Sequence, residues 1–369
     1  GVELPLIRLF ECPTVSALAA LVVSERGVSQ ASMPAPGGLF RPADVPLSHA
    51  QRRLWFLDRL YGSDATYNMP RAFRLSGCVS VKALERSVER LVLRHESFRT
   101  RFAFHDGEPF QRIVDSMPVP VVVHAVRDRA ELEAALKAAA VAPFDLSTGP
   151  LLRVCLYALS EDEHVLLLVM HHIISDGWSL GVLYRDLSAL YEAECLGREA
   201  ALSPLPLQYT DYALWQLERL TGDWLERELG HWLERLEGVP PVLELPTDRA
   251  RPKVRSGRGG RVRRQLSPVL LDGLRGLSRG RRCTLFMTLL SVFQVLLYRY
   301  TGREDIVVGA PTAGRDRPEF VDLIGFFVNT LVLRGDLSGS PSFLELLDRT
   351  RSVALDAYEH QELPFERLV

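Results

Sequence analysis

The sequence predicts an α/β or α+β protein built of two lobes. Apolar residues at helical spacing alternate with short apolar strands along most of the chain, and no fixed-period repeat indicates a solenoid. The chain has 369 residues, of which 47% are hydrophobic and 24% charged, as in ordinary globular proteins. Because a single hydrophobic core stops growing beyond about 250 to 300 residues, this length predicts two lobes.

The elements follow from local signals in chain order. A helical pattern begins after Thr14 and stops at Gly27, and residues 28–45, rich in proline and glycine, are typical of an interdomain linker. Alternating residues around Asp106-Gly107 predict a β-hairpin over 100–114. The remaining predicted elements are a helix capped by Ser80, strands over 151–159 and 164–172, a helix after Ser179, helices over 268–279 and after Thr284, and a strand at 306–308.

Charge and cysteine content exclude several classes of protein. The 44 basic and 46 acidic residues give a net charge of −2, so no global field attracts nucleic acid or an acidic membrane. The five cysteines are scattered and contain no CxxC, which predicts a reducing, cytoplasmic location without disulfides or a zinc site. The longest apolar stretch, 285–298, is interrupted by polar residues and fits a core helix better than a membrane span.

Two histidines at the end of an apolar strand are the main candidates for chemistry. Residues 165–170 are apolar, and His171 and His172 follow directly. Because side chains alternate along a strand, the two should face opposite sides, which argues against a shared metal ion. One histidine can then act as acid or base in a cleft while the other is structural; a purely structural pair is the alternative. Asp176 and Gly177 are predicted to form a turn, with Ser179 capping the next helix.

The ordered string His171-His172-x-x-x-Asp176-Gly177 resembles the HHxxxDG signature of condensation domains of nonribosomal peptide synthetases, in the chloramphenicol acetyltransferase-like superfamily. Chance does not supply the further matches, which occur in family order. They are LSHAQRRLWFL (47–57), RHESFRTRF (94–102), YTDYALW (209–215), VGAPTAGR (308–315) with IGFFVNTLVLR (324–334), and HQELPFE (360–366).

The resemblance implies a division of the chain. Residues 1–27, with LFECPTV at 9–15, are similar to the C-terminal end of a peptidyl carrier protein domain, and 28–45 form the linker. Residues 46–180 would be the N-terminal lobe and 181–369 the C-terminal lobe of the condensation domain. The implied shape is a V-shaped pseudo-dimer of two chloramphenicol acetyltransferase-like lobes with a tunnel between them. Family domains normally continue past HQELPFE, so the second lobe is expected to be incomplete.

The resemblance also implies peptide-bond formation between two carrier-bound substrates. The amine of an acceptor aminoacyl thioester attacks a donor thioester, each delivered on the 4'-phosphopantetheine of a partner carrier domain, with an adenylation domain as neighbour. No cofactor is expected on this chain itself. His172 would accept the amine proton, either before attack or from the tetrahedral intermediate. The motifs fit domains for L- and D-configured donors equally and name no particular substrate.

Other site residues are assigned by the same resemblance. His171 is expected to be structural, and Asp176 to form a structural ion pair, with Arg315 as the candidate partner. Gly177 would let the thioester approach the backbone, while Trp178 and Ser179 would line the tunnel or bind substrate. Asn329 has two open roles, a hydrogen bond near the site or a purely architectural one.

Two rival functions remain open. An epimerisation domain of the same superfamily is one, but AQRRLWFL and FVNT look more like condensation. A catalytically silent, partner-recruiting domain is the other, and the intact histidine motif argues against it.

Several weaker signals are discounted. Residues 276–280 match GxSxG formally but have helical spacing, so a helix end is predicted there instead of a nucleophile elbow. The basic run 249–264 could contact phosphate, although a solvated connector is the simpler interpretation. The remaining histidines, among them His231 and His360, show no ligand spacing along the chain.

Overall fold

A computed structural model describes residues 8, 12, 14–25, 40–62, 64–250, 252 and 259–369. The chain divides into two compact units. The larger unit comprises Ala35–Leu225 and Ala313–Val328, and the smaller comprises Gly1–Pro34, Glu226–Thr312 and Asn329–Val369. Helix α1 (Val15–Glu25) precedes the described part of the larger unit. The residues of the predicted linker before position 40 and most of the basic run, at 251 and 253–258, lie outside the described residues.

The larger unit is a mixed α/β structure with two sheets. One has the order β1-β4-β3, and the other has the order β2-β7-β6-β5, in which β5 runs parallel to β6 while the other neighbours are antiparallel. Its elements are β1 (Val45–Pro46), α2 (His49–Tyr61), β2 (Asn68–Ser76), α3 (Val81–Arg94), β3 (Thr100–His105), β4 (Glu108–Ile113), β5 (Val121–Ala125), α4 (Arg129–Val141), β6 (Leu152–Ala158), β7 (Glu163–His171), α5 (Gly177–Leu196) and α6 (Tyr209–Arg219).

The predicted hairpin is confirmed in β3 and β4. Asp106 and Gly107 have φ angles of 51° and 84°, and a two-residue turn with positive φ at both positions matches the twist of the flanking strands. Glycine adopts this conformation without strain, and aspartate is among the few other residues that tolerate it.

Strand β7 ends one residue earlier than the sequence indicated. It is paired on both sides and buried from His164 to His171, which accounts for its continuous apolar run. His171 pairs with Asn68 of β2, whereas His172 begins a 3-10 turn, His172–Ile174. The two histidines are therefore separated by a change of backbone conformation as well as by strand alternation.

Helix α5 begins two residues before the predicted cap. Asp176 is the N-cap, because its Oδ1 accepts a hydrogen bond from the backbone N–H of Ser179 at 2.7 Å; the prediction that Ser179 caps this helix is wrong. The apolar face of α5 packs into the core of the larger unit. Helix α5 therefore belongs to the larger unit. The boundary between the units lies beyond this helix, at Leu225, and not at the expected division at 180.

The smaller unit contains α8 (Pro268–Gly280), α9 (Leu285–Thr301), β8 (Asp305–Thr312), β9 (Asn329–Asp336), α10 (Phe343–Glu359) and most of α7 (Gly222–Leu236). Strands β8 and β9 pair antiparallel. Ser278 is buried near the end of α8, with its hydroxyl 2.7 Å from both Leu274 O and Thr288 Oγ1, so the GxSxG match is a helix end as predicted. In the described part of the chain no single helix is long and apolar enough to cross a bilayer; α8 and α9 pass that test only together, across a 103° bend.

Candidate active site

The imidazole of His172 is held in one tautomer by the backbone. Its Nδ1 lies 2.7 Å from the carbonyl oxygen of Ser175, which can only accept, so Nδ1 carries the proton and donates. Nε2 is then the unprotonated, basic nitrogen. The ring of Phe326 packs edge-on against the imidazole with centroids 4.7 Å apart, and the side chain remains partly exposed. His172 therefore presents an oriented base.

His171 has the opposite character. It is only 3% exposed, and its Nδ1 accepts the backbone N–H of Ile173 at 3.1 Å. Burial, and secondarily the nearby His172, lowers the pKa of His171 from 6.5 to about 4, so the ring is neutral at physiological pH. Tyr67 and Phe144 lie around it with ring centroids 6.2 and 6.3 Å away. These contacts support the structural role expected for His171.

The buried state of His171 makes stability depend on pH. The pKa of His171 is lower in the folded chain than in the unfolded chain. Below pH 6.5 the unfolded chain therefore binds a proton at this residue, and the folded chain does not. This group alone should remove about 3 kcal/mol of unfolding free energy between pH 6.5 and 4. Urea unfolding at several pH values should give a flatter pH dependence for His171→Asn than for the parent. Parallel curves for the two proteins would contradict the assignment.

The structure brings Asp176 and Arg315 together as a buried ion pair. Arg315 Nη2 lies 3.2 Å from Asp176 Oδ1, and both side chains are 1% exposed. Arg315 Nη1 donates to the carbonyls of Phe320 and Leu323, and its guanidinium lies 4.0 Å from the ring centroid of Phe327. Burial lowers the pKa of Arg315, and the carboxylate of Asp176 opposes that shift. The ion pair therefore holds the turn that follows His172 against residues 313–328.

Ser179 is buried beside this ion pair and is hydrogen-bonded to both of its members. It is fully buried, and its hydroxyl donates to Asp176 Oδ1 at 2.7 Å and accepts from Arg315 Nη2 at 2.9 Å. The backbone N–H of Gly325 also donates to it, at 3.1 Å. The expectation that Ser179 lines a tunnel or binds substrate is wrong, because a residue two positions beyond a helix N-terminus turns into the core here.

Two glycines allow residues 313–328 to pack closely on the ion pair. A Cβ on Gly325 would overlap the ring of Tyr209, and a Cβ on Gly314, which has φ +60°, would overlap the carbonyl oxygen of Phe327. The hydroxyl of Tyr209 donates to Phe326 O at 2.6 Å and lies 2.8 Å from Ser48 Oγ. Burial raises the pKa of Tyr209 far above 10, so this hydroxyl stays protonated as a donor.

The other predicted site residues lie in different surroundings. Trp178 is 50% exposed, and its Nε1 donates to Val321 O at 2.9 Å. Gly177 is exposed, and a Cβ there would meet nothing within 4 Å in the part of the chain that the structure describes. Asn329 belongs to the smaller unit, where its amide donates to the carbonyls of Gln361 and Leu363 at 2.8 Å each. Of the two open roles for Asn329, these contacts support the architectural one.

Several residues that orient the site could not be assigned from the sequence. Ser175 selects the tautomer of His172 through its carbonyl, a group that every residue possesses. Phe327 donates its backbone N–H to Asp176 Oδ2 at 3.1 Å, and this contact is equally invisible in the sequence. Phe326 and Phe327 do lie within the motif stretch IGFFVNTLVLR, and this was the one sequence feature that indicated a place for them near the site.

Solved structures that resemble this chain define its class. The X-domain in a complex with OxyB from teicoplanin biosynthesis matches with a TM-score of 0.84 and 33% identity, over 91% of this chain and 74% of that one. The condensation domain of the monacolin K polyketide synthase MokA matches with a TM-score of 0.76 and 25% identity, over 89% and 75%. The predicted chloramphenicol acetyltransferase-like fold class is confirmed.

Sequence comparisons then give the family. The condensation-domain family model matches residues 42–369, so the chain belongs to the condensation-domain family, as predicted. One of the linear gramicidin synthase subunits of Brevibacillus parabrevis is 49% identical over 380 residues, and a dimodular nonribosomal peptide synthase of Bacillus subtilis (strain 168) is 44% identical over 375. Both alignments cover 100% of this chain, which spans only 5% and 16% of those relatives.

Proposed function

We propose that this domain forms a peptide bond between two carrier-bound substrates, with His172 as the proton acceptor. The observation that carries the proposal is the tautomer of His172, whose Nδ1–H is committed to Ser175 O while Nε2 remains basic. A partly exposed imidazole with a fixed basic nitrogen suits proton transfer near neutral pH. The similarity to nonribosomal peptide synthases supports the choice of substrates.

The chemistry balances with one proton acceptor. The acceptor amine nitrogen attacks the carbonyl carbon of the donor thioester, so a C–N bond forms and the C–S bond breaks. The amine loses one proton to His172 Nε2, and the departing pantetheine sulfur receives one, which leaves the imidazole neutral again. An α-amine has an ordinary pKa of about 7.7 to 8.0 and is partly neutral at pH 7. The base is therefore needed most for the cationic nitrogen of the tetrahedral intermediate.

The partners follow from this reaction. Donor and acceptor carrier domains would each deliver a thioester on 4'-phosphopantetheine, next to an adenylation domain and in the cytoplasm. We assign residues 1–27 to the end of a carrier domain and 28–45 to the linker, and helix α1 is consistent with that assignment. Beyond the linker, the two compact units, which first divide at Leu225 and not at 180, would then be the two lobes of the condensation domain.

One assay separates this function from its rivals. The synthetase that contains this domain is supplied with loaded donor and acceptor carriers, and the products are followed by mass spectrometry and chiral chromatography. Peptide transferred to the acceptor carrier is the expected product. An inverted donor stereocentre without transfer would instead indicate epimerisation. The similarity to an X-domain solved with OxyB makes recruitment the other rival, which predicts no turnover at all.

Gly177 offers a test of where the thioester lies. A methyl group at Gly177 would meet no atom of the described residues within 4 Å, and Gly181 in the same helix is an equally open control. Gly177→Ala should lower kcat/KM by about 10- to 100-fold through misplacement of the thioester, while Gly181→Ala stays near the parent value. Neither change should lower the unfolding free energy, because alanine is favoured over glycine in helices. Equal activity in both variants would exclude close approach of substrate to Gly177.

A further inference from the structure

Four side chains with metal-ligand chemistry meet between two helices of the smaller unit. Helix α7 contributes Glu228 and His231, three residues apart, and Asp356 of α10 lies four residues before His360, which follows the end of that helix. Residues three or four apart share a helix face, so each helix presents one carboxylate and one imidazole. The sequence does not show that these two pairs meet, because they are distant in the chain.

Three side chains of this cluster lie close enough together to reach one metal ion after small rotations. His231, Asp356 and His360 each offer one ligand atom, and these atoms lie within 4.8 Å of one another. His231 Nε2 lies 3.4 Å from Asp356 Oδ2, and two ligands bound tetrahedrally at zinc distances would be about 3.3 Å apart. Among the described residues, that buried nitrogen has no hydrogen-bond partner. The two imidazole rings stack with centroids 3.5 Å apart, so the imidazole of His231 must rotate for both rings to point a nitrogen at one ion.

A second layer of contacts orients these ligands. Glu228 Oε2 lies 2.9 Å from His360 Nδ1, an arrangement that protonates Nδ1 and leaves Nε2 to bind. Trp232 Nε1 donates to the carbonyl of His360 at 3.2 Å and fixes the backbone there. Arg235 pairs with Asp356 Oδ1 at 3.0 Å, so Oδ2 is the carboxylate oxygen that faces His231. Carboxylate support of a ligating histidine is the usual outer shell of such sites.

We propose that His231, Asp356 and His360 bind one divalent transition-metal ion of the zinc class, with water as the fourth ligand and Glu228 as the supporting carboxylate. Two imidazole nitrogens favour Zn²⁺ and its neighbours over Mg²⁺ or Ca²⁺, which prefer oxygen ligands. Three protein ligands with one position left for water is a coordination that zinc adopts in proteins. These ligands belong to the smaller unit, whereas His172 belongs to the larger one, so the proposal does not rest on the proposed peptide transfer.

Metal titration of the full chain tests the proposal. Chelator-treated protein is titrated with ZnCl2 by calorimetry, and one ion per chain is expected. His231→Gln and His360→Gln should each weaken binding at least 100-fold, and Glu228→Gln should weaken it 10- to 100-fold, as outer-shell changes do. His124→Gln removes an exposed histidine of the larger unit and should leave the affinity unchanged. Circular dichroism of each variant checks that the fold is retained.

Two further measurements make the outcome decisive. Added Co²⁺ should give the parent and His124→Gln the strong visible absorption that is typical of tetrahedral Co²⁺. His231→Gln should lack this absorption. Zinc should raise the melting temperature of the parent and leave that of His231→Gln unchanged. Absence of zinc binding to the parent, or equal affinity in His231→Gln and His124→Gln, would overturn the proposal.

Discussion

His172→Ala should lower the rate of peptide formation by about 10²- to 10⁴-fold, the range that a positioned acid or base contributes. The variant loses Nε2, the nitrogen of this side chain that can accept a proton once Nδ1–H is committed to Ser175 O. Its fold should persist, because the ring is partly exposed and packs edge-on against Phe326 without filling the core. Single-turnover transfer between loaded carriers measures the rate, and urea unfolding measures the stability.

The matched control for this variant is His124→Ala, which removes an exposed histidine and should retain the parent rate. In His172→Ala the loss should appear in kcat, with KM for the loaded carriers little changed, since the imidazole acts on the transition state. Added imidazole should restore part of the rate. If His172→Ala transfers peptide within a few-fold of the parent, His172 is not the proton acceptor.

Breaking the ion pair of Asp176 and Arg315 should cost about 3 to 5 kcal/mol of unfolding free energy, because either single change leaves a buried group without its partner. Arg315→Leu should lower the unfolding free energy more than Asp176→Asn, because it also leaves the carbonyls of Phe320 and Leu323 without their hydrogen-bond donor. The double variant Asp176→Asn/Arg315→Leu should cost less than the sum of the two single changes. Urea unfolding, or soluble yield where unfolding is irreversible, measures the effect.

The control pair lies on the surface of the same unit. Arg129 and Glu133 form an exposed pair at i,i+4 on α4, so Arg129→Ala should change the unfolding free energy by less than about 0.5 kcal/mol. Activity provides a second comparison, because loss of the ion pair should disturb the turn that orients His172. Single variants of Asp176 and Arg315 that unfold like the parent would refute a structural role for the pair.

Local signals predict much of the fold. The helix caps, the Asp106-Gly107 hairpin and the apolar run of β7 each depend on neighbouring residues and can be read directly. The predicted start of α5 is wrong because Asp176 and Ser179 are both good capping residues, and local propensity does not choose between them. The division between the units could not be predicted, since it depends on which core the apolar face of α5 packs against.

The candidate site, like the fold, could be predicted from the sequence only in part. The ordered motifs identify the family and mark His171, His172, Asp176 and Arg315 without any knowledge of contacts. What each residue does depends on atoms that are remote or belong to the backbone. Ser179 is part of the ion pair through contacts with residues 313–328, and Asn329 is satisfied by the carbonyls of Gln361 and Leu363.

The sequence by itself determined the class of this protein and its candidate reactive residue, because both are carried by short ordered patterns. Only the tertiary structure decided which nitrogen of His172 is basic, since a backbone carbonyl fixes that tautomer. It alone also brought His231 and His360 together, through the packing of two helices that the chain separates. Contacts between distant residues leave no spacing in the sequence, and the chemistry of both sites depends on such contacts.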